Sequence, residues 1–514
     1  MSVGSDVPSR PLPPASPPAG RRGSRHARSF GAALGLTALN ALLPGTGFLA
    51  AGRRRLGGIT LVLFLAVVAG SYWLATGGQR YAARLAVDRT ALLGVLGAVA
   101  AGALLWVVVI VAGYRMLVPR PTSAPRHAIG ALLCALLVVV VAVPAYYVGR
   151  LSLVQRDLIA GVFNGGDSAT VVDKPNPFGG KARVNVLLLG GDGGVGREGV
   201  RTDTVIVASI DAHTGDTVLF SLPRNLENLP FPPGSALAKA YPDGFESGNE
   251  SESLLNAVYR NGPAAHPNIL GRTDHPGGDF LKLGVGEALG LHLDYFVLVN
   301  LEGFSRLVDA LGGITVNVNY WVPINGDPGT GELPDDYIAP GPHQHLDGFH
   351  ALQFARGRFG LTDYDRMARQ RCMLDSIIAA ADPVTLLRQY QELAATTKDI
   401  VETDIPQSAL DDFVDLAFLV KDASVRSVVF DDKVINPAYP DYATMRRVVE
   451  KALAPPAAPS AAANEGPAST SSSAPSSSAS PSSAPATDVT DACAYDPKQA
   501  AEARAAGKPP TKNG

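Results

Sequence analysis

The first 150 residues contain several long apolar stretches, and these constrain the chain more than any other feature. Gly57–Thr76, Ala91–Tyr114 and Ala128–Gly149 are essentially uncharged, and each has about 20 residues or more, enough for a helix to cross a bilayer. Phe30–Ala51 is also apolar, but Pro44 and two nearby glycines interrupt it. We therefore predict three membrane-spanning helices, with Phe30–Ala51 as a re-entrant segment or a fourth span.

The positions of arginine predict which side of the membrane each loop faces, because basic residues concentrate in cytoplasmic loops. The basic clusters are Arg21, Arg22, Arg25 and Arg28; Arg53–Arg55; and Arg115, Arg120 and Arg126. All of them are cytoplasmic if Phe30–Ala51 returns to the cytoplasmic side and three spans follow. The loop Gly77–Arg89 and the chain after Gly149 then lie outside. Four spans would instead place Arg53–Arg55 outside and the large C-terminal region inside.

Net charge also differs between residues 1–150 and the rest of the chain. Residues 1–150 contain 15 Arg, no Lys and two acidic residues, a net charge of +13. Because the whole chain carries −3, residues 151–514 carry −16. An acidic globular part is unsuited to a phosphate backbone, so nucleic acid is not expected as a partner.

Composition also predicts the domain boundaries. Pro, Ser and Arg dominate the N-terminus, and Ser, Pro and Ala dominate the C-terminal tail, so both are predicted to be disordered. The predicted regions are a cytoplasmic N-terminus (1–29), a membrane region (30–150), a connector (151–181), an extracytoplasmic domain (182–453) and a tail (454–514). Cys372 and Cys493 could form one bridge outside the cytoplasm, but a disulfide framework is not predicted.

The region 182–453 mixes strand and helix patterns. Val184–Leu189 is an apolar run typical of a buried strand, and a short polar turn between Thr204–Asp211 and Thr217–Leu222 predicts a hairpin. Two further strands and six helices are predicted at Tyr295–Leu301, Ile314–Val318, Leu281–Leu289, Gly303–Leu311, Leu346–Arg356, Tyr364–Ala380, Leu386–Lys398 and Gln407–Val420. This mixture predicts an α/β fold, a three-layer sandwich with a central mixed sheet between helices.

Two local patterns imitate known sites but lack the context that those sites need. Gly191–Gly196 matches the GxGxxG fingerprint of dinucleotide-binding folds, yet it leads into another strand and not into a helix. His343, His345 and His350 lie close together, but two of them fall in a Pro/Gly-rich loop, and zinc would need a further ligand. We predict a flexible loop carrying Asp192 in the first case and a solvated loop in the second.

Four short segments combine carboxylates with arginines. They follow or open predicted strands and helices at Gly190–Asp192, Arg201–Thr204, Ser221–Arg224 and Ala355–Arg371. Asp192 and Asp203 both lie at strand ends, and two carboxylates can hold Mg²⁺ while leaving positions for phosphate oxygens. Arginines bind phosphate through paired hydrogen bonds and stay charged. Each segment alone is more typical of a surface ion pair, but together they predict a phosphate site.

The same segments, in this order, resemble the LytR-CpsA-Psr family of cell-wall glycopolymer ligases. The resemblance runs from about Val184 to Ile378 and includes DYFVLVNLEGFSRLVDALGGITVNV, HLDGFHALQFARGR and DYDRMARQR. It implies a central sheet between helices, a hydrophobic groove for a polyprenyl chain, and Mg²⁺ or Mn²⁺ as cofactor. It also implies transfer of a glycopolymer phosphate from an undecaprenyl- or decaprenyl-linked donor to peptidoglycan at the cell membrane.

The resemblance assigns roles by position. Asp192 and Asp203 would hold the metal, and Asp203 or Asp365 would activate the sugar hydroxyl. Positive charge for the pyrophosphate would come from Arg201, Arg224, Arg356 and Arg358. The head group would be oriented by Asp365, Arg366 and Gln370. The implied catalytic residues are Asp203, Arg356, Arg358 and Asp365, and the implied substrate-binding residues are Arg201, Arg224, Arg366 and Gln370.

Three positions depart from the family pattern. Asn225 stands where Asp usually follows the Pro-Arg pair, and Gly193 stands where the loop usually brings an Arg. Leu254 replaces the usual lysine, for which Lys239 and Lys282 are candidate substitutes. The site is therefore less polar than the family pattern.

These features favour a membrane-anchored glycopolymer–peptidoglycan phosphotransferase, and two alternatives stay open. A lipid-pyrophosphate hydrolase would use water as the acceptor and release free glycan phosphate. A non-catalytic polyprenyl-phosphate or wall-binding module would bind lipid without turnover, which the three departures favour. The segment Pro230–Asp279 is long and rich in Gly, Pro and acidic residues, as in a lid or an acceptor-facing loop.

Overall fold

The computed structural model describes residues 27–163, 166–171, 177–178, 180–193, 200–380, 401–454, 487–488 and 493–512. The chain divides into two compact units. One comprises Met1–Thr76 and Val95–Arg150, and the other comprises Gly77–Gly94 and Leu151–Gly514. The first unit contains most of the apolar N-terminal region, and the second contains the globular domain.

Residues 27–163 are mainly helical. In chain order the helices are α1 (Phe30–Leu42), α2 (Thr46–Ala50), α3 (Arg54–Thr76), α4 (Gln79–Val87), α5 (Arg89–Leu117) and α6 (Ala124–Val162). Within the described part of the chain, α3, α5 and α6 are long and apolar enough to cross a membrane, whereas α1 is shorter. The predicted three apolar helices are therefore present, and Phe30–Ala51 does not form a single helix of spanning length.

Asn40 holds the break between α1 and α2, and its side chain is fully buried. Its Oδ1 accepts hydrogen bonds from the N–H groups of Gly45 at 3.0 Å and Gly47 at 2.9 Å, and its Nδ2 donates to the carbonyl of Val109 at 3.0 Å. Gly45 has a φ of 104°, which favours glycine. The amide thus satisfies backbone groups that a helix break leaves open, as an apolar environment requires.

A seven-stranded mixed sheet organises the globular unit. The strands of this unit are β1 (Arg183–Gly191), β2 (Thr202–Asp211), β3 (Thr217–Leu222), β4 (Tyr295–Asn300), β5 (Ile314–Val318), β6 (Val322–Ile324), β7 (Asp336–Ile338), β8 (Gly341–Leu346), β9 (Val401–Thr403), β10 (Val425–Val429) and β11 (Thr487–Asp488). The sheet order is β11-β10-β3-β2-β1-β4-β9. β1 pairs antiparallel with β2 and parallel with β4, while β3 pairs antiparallel with β2 and parallel with β10. The predicted hairpin and mixed sheet are confirmed.

Helices cover both faces of this sheet. Besides α4, the helices of the unit are α7 (Ala236–Ala240), α8 (Glu250–Ser253), α9 (Leu255–Ala265), α10 (Pro276–Leu289), α11 (Leu301–Ala310), α12 (Gly348–Arg356), α13 (Asp363–Ala380), α14 (Leu410–Val420), α15 (Tyr442–Leu453) and α16 (Pro497–Ala505). Side chains alternate between the faces of a strand. Leu187 and Leu189 pack into the core with α9, α10 and α15, whereas Val186 and Leu188 pack on the side of α13 and α14. This arrangement confirms the predicted three-layer α/β sandwich.

A smaller lobe adjoins the sandwich. It contains the two-stranded sheets β5–β8 and β6–β7. Their apolar side chains pack with α11, α12 and α13 in a separate core that includes Val308, Ile314, Phe354 and Met373. The lobe therefore supports the two helices, α12 and α13, that carry the C-terminal arginine segment.

The last part of the chain differs from the prediction that 454–514 is disordered. Cys493–Lys512 is ordered, and its first residue is disulfide-bonded to Cys372 of α13, with the two Cα atoms 4.9 Å apart. Trp321 Nε1 donates to the carbonyl of Ala503 at 3.0 Å. The segment has no Val, Ile, Leu, Met, Phe or Trp, so its composition does not reveal an attachment made by one disulfide and polar contacts. Residues 455–486 lie outside the described residues.

The predicted connector is also partly built into the fold. Helix α6 continues to Val162, and Ser168 and Ala169 bind the fully buried Asp279 of α10 at 2.8 and 2.9 Å. The predicted helix Leu386–Lys398 lies outside the described residues.

Candidate active site

Two predicted metal ligands meet at the edge of the sheet where β1 ends and β2 begins. The β1–β2 register shifts by one residue between Gly190 and Gly191, which makes Asp203 the extra residue of a β-bulge. Asp192 follows β1 directly; its N–H donates to the carbonyl of Arg201 at 3.0 Å, and its Oδ1 accepts from the N–H of Arg201 at 2.8 Å. Because a bulge redirects the side chain that it adds, Asp203 and Asp192 both line one cavity at this edge.

The glycines before Asp192 permit close packing at this edge. A Cβ atom at Gly190 would lie 2.9 Å from the side chain of Thr204, and one at Gly191 would lie 2.8 Å from Val200. Gly191 is the last residue of β1. The remainder of the GxGxxG pattern, residues 194–196, lies outside the described residues.

The cavity has a volume of about 280 Å³ and lies between the sheet and helices α11, α12 and α13. Its apolar walls include Ile206, Val297, Phe304, Leu307, Leu374 and Ile377. Its polar lining includes Asp192, Asp203, Arg356, Arg358, Arg366 and Gln370. Along α13 the polar lining residues come first and the apolar ones follow at helical spacing, so the cavity is polar at one end and apolar at the other.

Asp363, the first residue of α13, joins three arginines. Its Oδ2 lies 3.3 Å from Arg224 Nε, and its Oδ1 lies 3.2 Å from Arg358 Nε and 3.6 Å from Arg366 Nη1. Arg224 Nη1 also donates to Asp203 Oδ1 at 2.8 Å. These five side chains form one connected group, which we call the arginine cluster.

The arginine cluster keeps Asp203 ionised. Burial alone would raise the pKa of this carboxyl, but the hydrogen bond and charge of Arg224 and the charge of Arg366 together hold the pKa below its ordinary value. Asn256 Nδ2 lies 3.4 Å from the same Oδ1 atom that Arg224 contacts. Asp203 is therefore a weak base, and its Oδ2 receives neither of these contacts.

Arg366 is the most deeply buried cation of the cluster, with a side chain only 3% exposed. Burial lowers the pKa of its guanidinium to about 10; the charge of Asp363 opposes this shift, and repulsion from Arg224 reinforces it. Its Nε has no hydrogen-bond partner in the part of the chain that the structure describes. A buried guanidinium with an unpaired donor favours an anion as its missing partner.

Arg369 positions the segment that carries Arg356 and Arg358. It is buried, and its Nε donates to the carbonyl of Phe354 at 2.7 Å while its Nη2 donates to the carbonyl of Gly357. These carbonyls lie on either side of Arg356 in the sequence. No role for Arg369 was predicted from the sequence, although its place three residues after Arg366 in the arginine-rich segment was a usable signal.

The structure places Asp365 outside the arginine cluster. Its Oδ2 accepts from the N–H of Thr362 at 2.9 Å and from the Thr362 hydroxyl at 2.7 Å, and Thr362 Oγ1 accepts from the N–H of Asp365 at 3.1 Å. This reciprocal pair is a capping box at the start of α13. Asp363, which the sequence analysis did not single out, supplies the carboxylate among the arginines.

Two other predicted substrate-binding residues have different surroundings. The side chain of Arg201 pairs with Glu252 of α8, which also pairs with Arg260 of α9. Gln370 is buried, and its Nε2 lies 3.4 Å from the carbonyl of Ala355. Gln370 therefore lines the cavity, whereas the guanidinium of Arg201 is held toward α8 and α9.

Lys282 does not substitute for the family lysine that Leu254 replaces. It is fully buried, and its Nζ donates to Asp404 Oδ2 at 2.6 Å and to the carbonyl of Asp294 at 2.9 Å. The other candidate, Lys239, is exposed in the last turn of α7. The segment of Leu254 instead reaches the cluster through Asn256, as described above.

Asp192 and Asp203 together fit a divalent cation only in part. Among the described residues no group of three or more His, Cys, Asp or Glu side chains is arranged to hold a metal ion. Two carboxylates fit a hard cation whose other ligands are phosphate oxygens or water. The donor set is thus compatible with Mg²⁺ bound together with a phosphate-bearing ligand.

Comparison with known proteins extends the match beyond the motifs. Biofilm regulatory protein A of Streptococcus mutans is 24% identical over 48% of this chain and 54% of its own length. The polyisoprenyl-teichoic acid–peptidoglycan teichoic acid transferase TagU of Enterococcus faecalis is 29% identical over 44% of this chain and 62% of its own length. The chain thus spans less than two thirds of these relatives. The crystal structure of protein gbs0355 from Streptococcus agalactiae shares 23% identity, with a TM-score of 0.39, and covers 50% of this chain and 80% of that one.

The family model that matches this chain covers the whole candidate site. It spans residues 166–436, more than half of the chain, from the connector after α6 to the loop after β10. The chain belongs to the LytR_cpsA_psr family.

Proposed function

We propose that this protein is a membrane-anchored phosphotransferase that moves a glycopolymer from a polyprenyl-pyrophosphate donor to peptidoglycan. An acceptor hydroxyl oxygen attacks the phosphorus that carries the glycan. The bond from that phosphorus to the bridging oxygen breaks, and polyprenyl phosphate leaves with the bond's electron pair. The hydroxyl proton passes to a base or to solvent, and the glycan stays attached through one phosphodiester.

The main support for this proposal is the cavity that is polar at one end and apolar at the other. A polyprenyl pyrophosphate has a long apolar tail and a charged head, and the cavity offers apolar walls at one end and arginines at the other. The relatives point the same way, since TagU of Enterococcus faecalis is named as a teichoic acid transferase acting on peptidoglycan.

The arginines supply the electrostatic part of the chemistry. Phosphoryl transfer depends mainly on positioning and on neutralising charge at the phosphate oxygens. Arg356, Arg358 and Arg366 line the cavity, and Asp363 pairs with two of them, Arg358 and Arg366. In this proposal the three lining arginines bind the pyrophosphate, and Asp363 keeps Arg358 and Arg366 close despite their mutual repulsion.

Asp192 and Asp203 are the proposed ligands of Mg²⁺ or Mn²⁺. When bound, the cation would neutralise negative charge on the pyrophosphate. The lowered pKa of Asp203 supports a ligand role over a role as the base that activates the hydroxyl. Asp365, the other carboxylate considered as a base, is engaged in the capping box of α13.

The proposed topology has three spans with the globular unit outside the cytoplasm. Helix α4 lies between α3 and α5 in the chain, and it packs on α14: Arg84 pairs with Asp415, and the Arg80 guanidinium lies 5.3 Å from the ring centroid of Phe418. Both helices belong to the globular unit, so they share one side of a membrane that α5 and α6 cross. The arginine distribution favours the outside, and a disulfide favours an oxidising compartment.

A reconstituted reaction tests the function. The full-length protein in lipid nanodiscs receives a synthetic polyprenyl-pyrophosphate disaccharide, Mg²⁺ and uncrosslinked peptidoglycan strands. We expect release of polyprenyl phosphate together with a peptidoglycan-linked phosphodiester, and a loss of about 10²-fold or more in Asp203→Ala and Arg356→Ala, the effect expected for removing one preorganised charged group. Arg306→Ala is the control, because Arg306 is an exposed partner of Glu302 on α11.

Two outcomes would overturn the proposal. Free glycan phosphate without a peptidoglycan-linked product would identify a hydrolase that uses water as acceptor. Donor binding without any turnover would identify a binding module. Full turnover in Asp203→Ala and Arg356→Ala would reject the proposed site.

A further inference from the structure

A second depression lies at the same edge of the sheet as the arginine cluster. It has a volume of about 490 Å³, and we name it the tyrosine depression after its lining residues Asn228, Phe231, Tyr241, Asp243, Tyr439 and Tyr442. It does not overlap the residues that line the catalytic cavity. It is built from the chain that follows β3, including part of Pro230–Asp279, and from the chain that follows β10.

The sheet topology fixes this depression beside the site. β10 runs parallel to β3, so both strands end at the edge where Arg224 follows β3. The chains beyond the two strands are tied together, because the N–H of Glu227 donates to the carbonyl of Pro437 at 3.0 Å and the Tyr442 hydroxyl donates to the carbonyl of Glu227 at 2.6 Å. Asn228 is four residues after Arg224, so their Cα atoms can be at most about 14 Å apart.

The lining has the chemistry of a sugar-binding surface. Tyr439 is 82% exposed, so its ring is accessible to a ligand in the depression. Aromatic faces stack on the C–H faces of pyranose rings, while carboxylates and amides pair with ring hydroxyls. Asp243 and Asn228 are exposed beside the tyrosines and supply those polar groups.

One residue that lines the depression carries a buried polar group. Tyr241 is only 8% exposed, and its hydroxyl has no hydrogen-bond partner among the residues that the structure describes. Its ring is held by Phe231 and Phe245, with centroids 5.7 and 5.1 Å away. Burial raises the pKa of the phenol, so the hydroxyl stays protonated and can donate.

The loop around the depression is conformationally fixed. Asn228 has a φ of 52° and Gly244 a φ of 95°. A Cβ at Gly244 would lie 2.3 Å from the carbonyl oxygen of Asn228, so only glycine permits this approach. The depression is therefore formed before any ligand arrives.

Charge distinguishes the two sites. Arg356, Arg358 and Arg366 line the catalytic cavity, whereas the described lining of the tyrosine depression contains Asp243 and no Arg, Lys or His. A polyanionic glycopolymer is repelled by such a lining, and an uncharged sugar chain is not.

We propose that the tyrosine depression binds neutral sugar rings of the acceptor glycan and thereby presents the acceptor hydroxyl to the arginine cluster. This proposal rests on the proposed transferase function.

Direct binding tests the depression without requiring turnover. The full-length protein in nanodiscs is titrated by calorimetry with chitotetraose, an uncharged oligosaccharide of N-acetylglucosamine, and with polyglycerol phosphate as the anionic counterpart. We expect binding of chitotetraose only. Tyr439→Ala should weaken it about 3- to 10-fold, the size of one aromatic contact, and Tyr439→Phe should retain it. Asp243→Ala should weaken it about 10-fold. Tyr81→Ala, at an exposed tyrosine of α4, is the matched control.

Kinetics separate this proposal from the function on which it rests. In the reconstituted reaction, Tyr439→Ala should raise the KM for peptidoglycan strands by the same factor while the KM for the lipid donor stays at the wild-type value. Transfer with an unchanged acceptor KM in Tyr439→Ala and Asp243→Ala would overturn the subsite and leave the transferase intact. Chitotetraose binding without any transfer would overturn the transferase. Absence of chitotetraose binding to the wild type would overturn the subsite.

Discussion

Two clusters of buried charge in the globular unit differ in how completely their polar atoms are paired. Lys282 and Asp404 are 1% and 0% exposed; Lys282 Nζ has two acceptors, and Asp404 Oδ1 accepts from the N–H of Phe296 at 2.8 Å. In the arginine cluster, by contrast, Arg366 Nε is buried without a partner in the described structure, and so is Oδ1 of Asn256, which contacts the cluster at Asp203.

The contrast distinguishes a structural cluster from a binding site. A buried ion pair whose atoms are all engaged has no capacity for a ligand, and its removal affects mainly stability. A buried group with an unpaired donor lowers stability unless a ligand completes it. The same reasoning explains why Lys282, a candidate for the missing site lysine from sequence, is not part of the site.

The largest expected effect is a loss of stability when the pair of Lys282 and Asp404 is broken. Lys282→Met leaves Asp404 buried without its cation and should reduce the free energy of unfolding by about 3–5 kcal/mol. The measurement is the denaturant midpoint of the full-length protein in detergent. The double variant Lys282→Met with Asp404→Leu should recover most of the loss, because it removes both charges. A single variant as stable as wild type would show that the two clusters do not differ in this way.

The next largest effect distinguishes the roles of two aspartates of α13. Asp363→Asn removes the charge that holds the arginines together and should lower turnover by about 10²-fold. Asp365→Asn alters only the capping box, so we expect a loss of about 0.5–1 kcal/mol in stability and little change in turnover. Both are measured in the reconstituted reaction and by denaturant midpoint. The reverse pattern would return the catalytic role to Asp365.

The smallest expected effect concerns the pair of His275 and Glu402, which is less buried than the pair of Lys282 and Asp404. His275 Nδ1 is 3.1 Å from Glu402 Oε1, and this hydrogen bond raises the pKa of His275 above its ordinary value, although burial opposes the shift. The protonated histidine therefore adds stability that is fully present below about pH 6.5 and is lost as pH rises through the higher folded pKa. The charges of Asp404 and Asp279 act in the same direction.

Melting temperatures at pH 6 and pH 8 test this pair. The wild type should lose more stability over this interval than His275→Gln does. His213→Gln is the control, because that ring is largely exposed. An equal decrease in all three proteins would show that His275 does not contribute to the pH dependence.

The sequence predicted the sheet edge well because strand ends and loop motifs are local signals. Val184–Leu189 and the hairpin follow from apolar runs and a turn, and the topology then brings Asp192 and Asp203 to one edge. The bulge at Asp203 was not predicted, since it arises from close packing around Gly190 and Gly191 that depends on neighbouring strands.

The surroundings of Asp365 could not be predicted from the resemblance alone. Two residues along a helix turn the side chain by about 200°, so Asp363 and Asp365 point to nearly opposite sides of α13. The Thr362-x-x-Asp365 pattern of a capping box was present in the sequence and would have marked Asp365 as structural. The resemblance identified the segment, but it did not show which of the two aspartates faces the arginines.

The disulfide between Cys372 and Cys493 has a consequence for the order of events in the cell. Helix α13 carries Asp363, Arg366 and Gln370, yet its covalent partner lies 121 residues later in the chain. Cys493 is synthesised after the whole sandwich and the smaller lobe. Helix α13 can therefore acquire this covalent support only after residue 493 has been made and both cysteines are in an oxidising compartment.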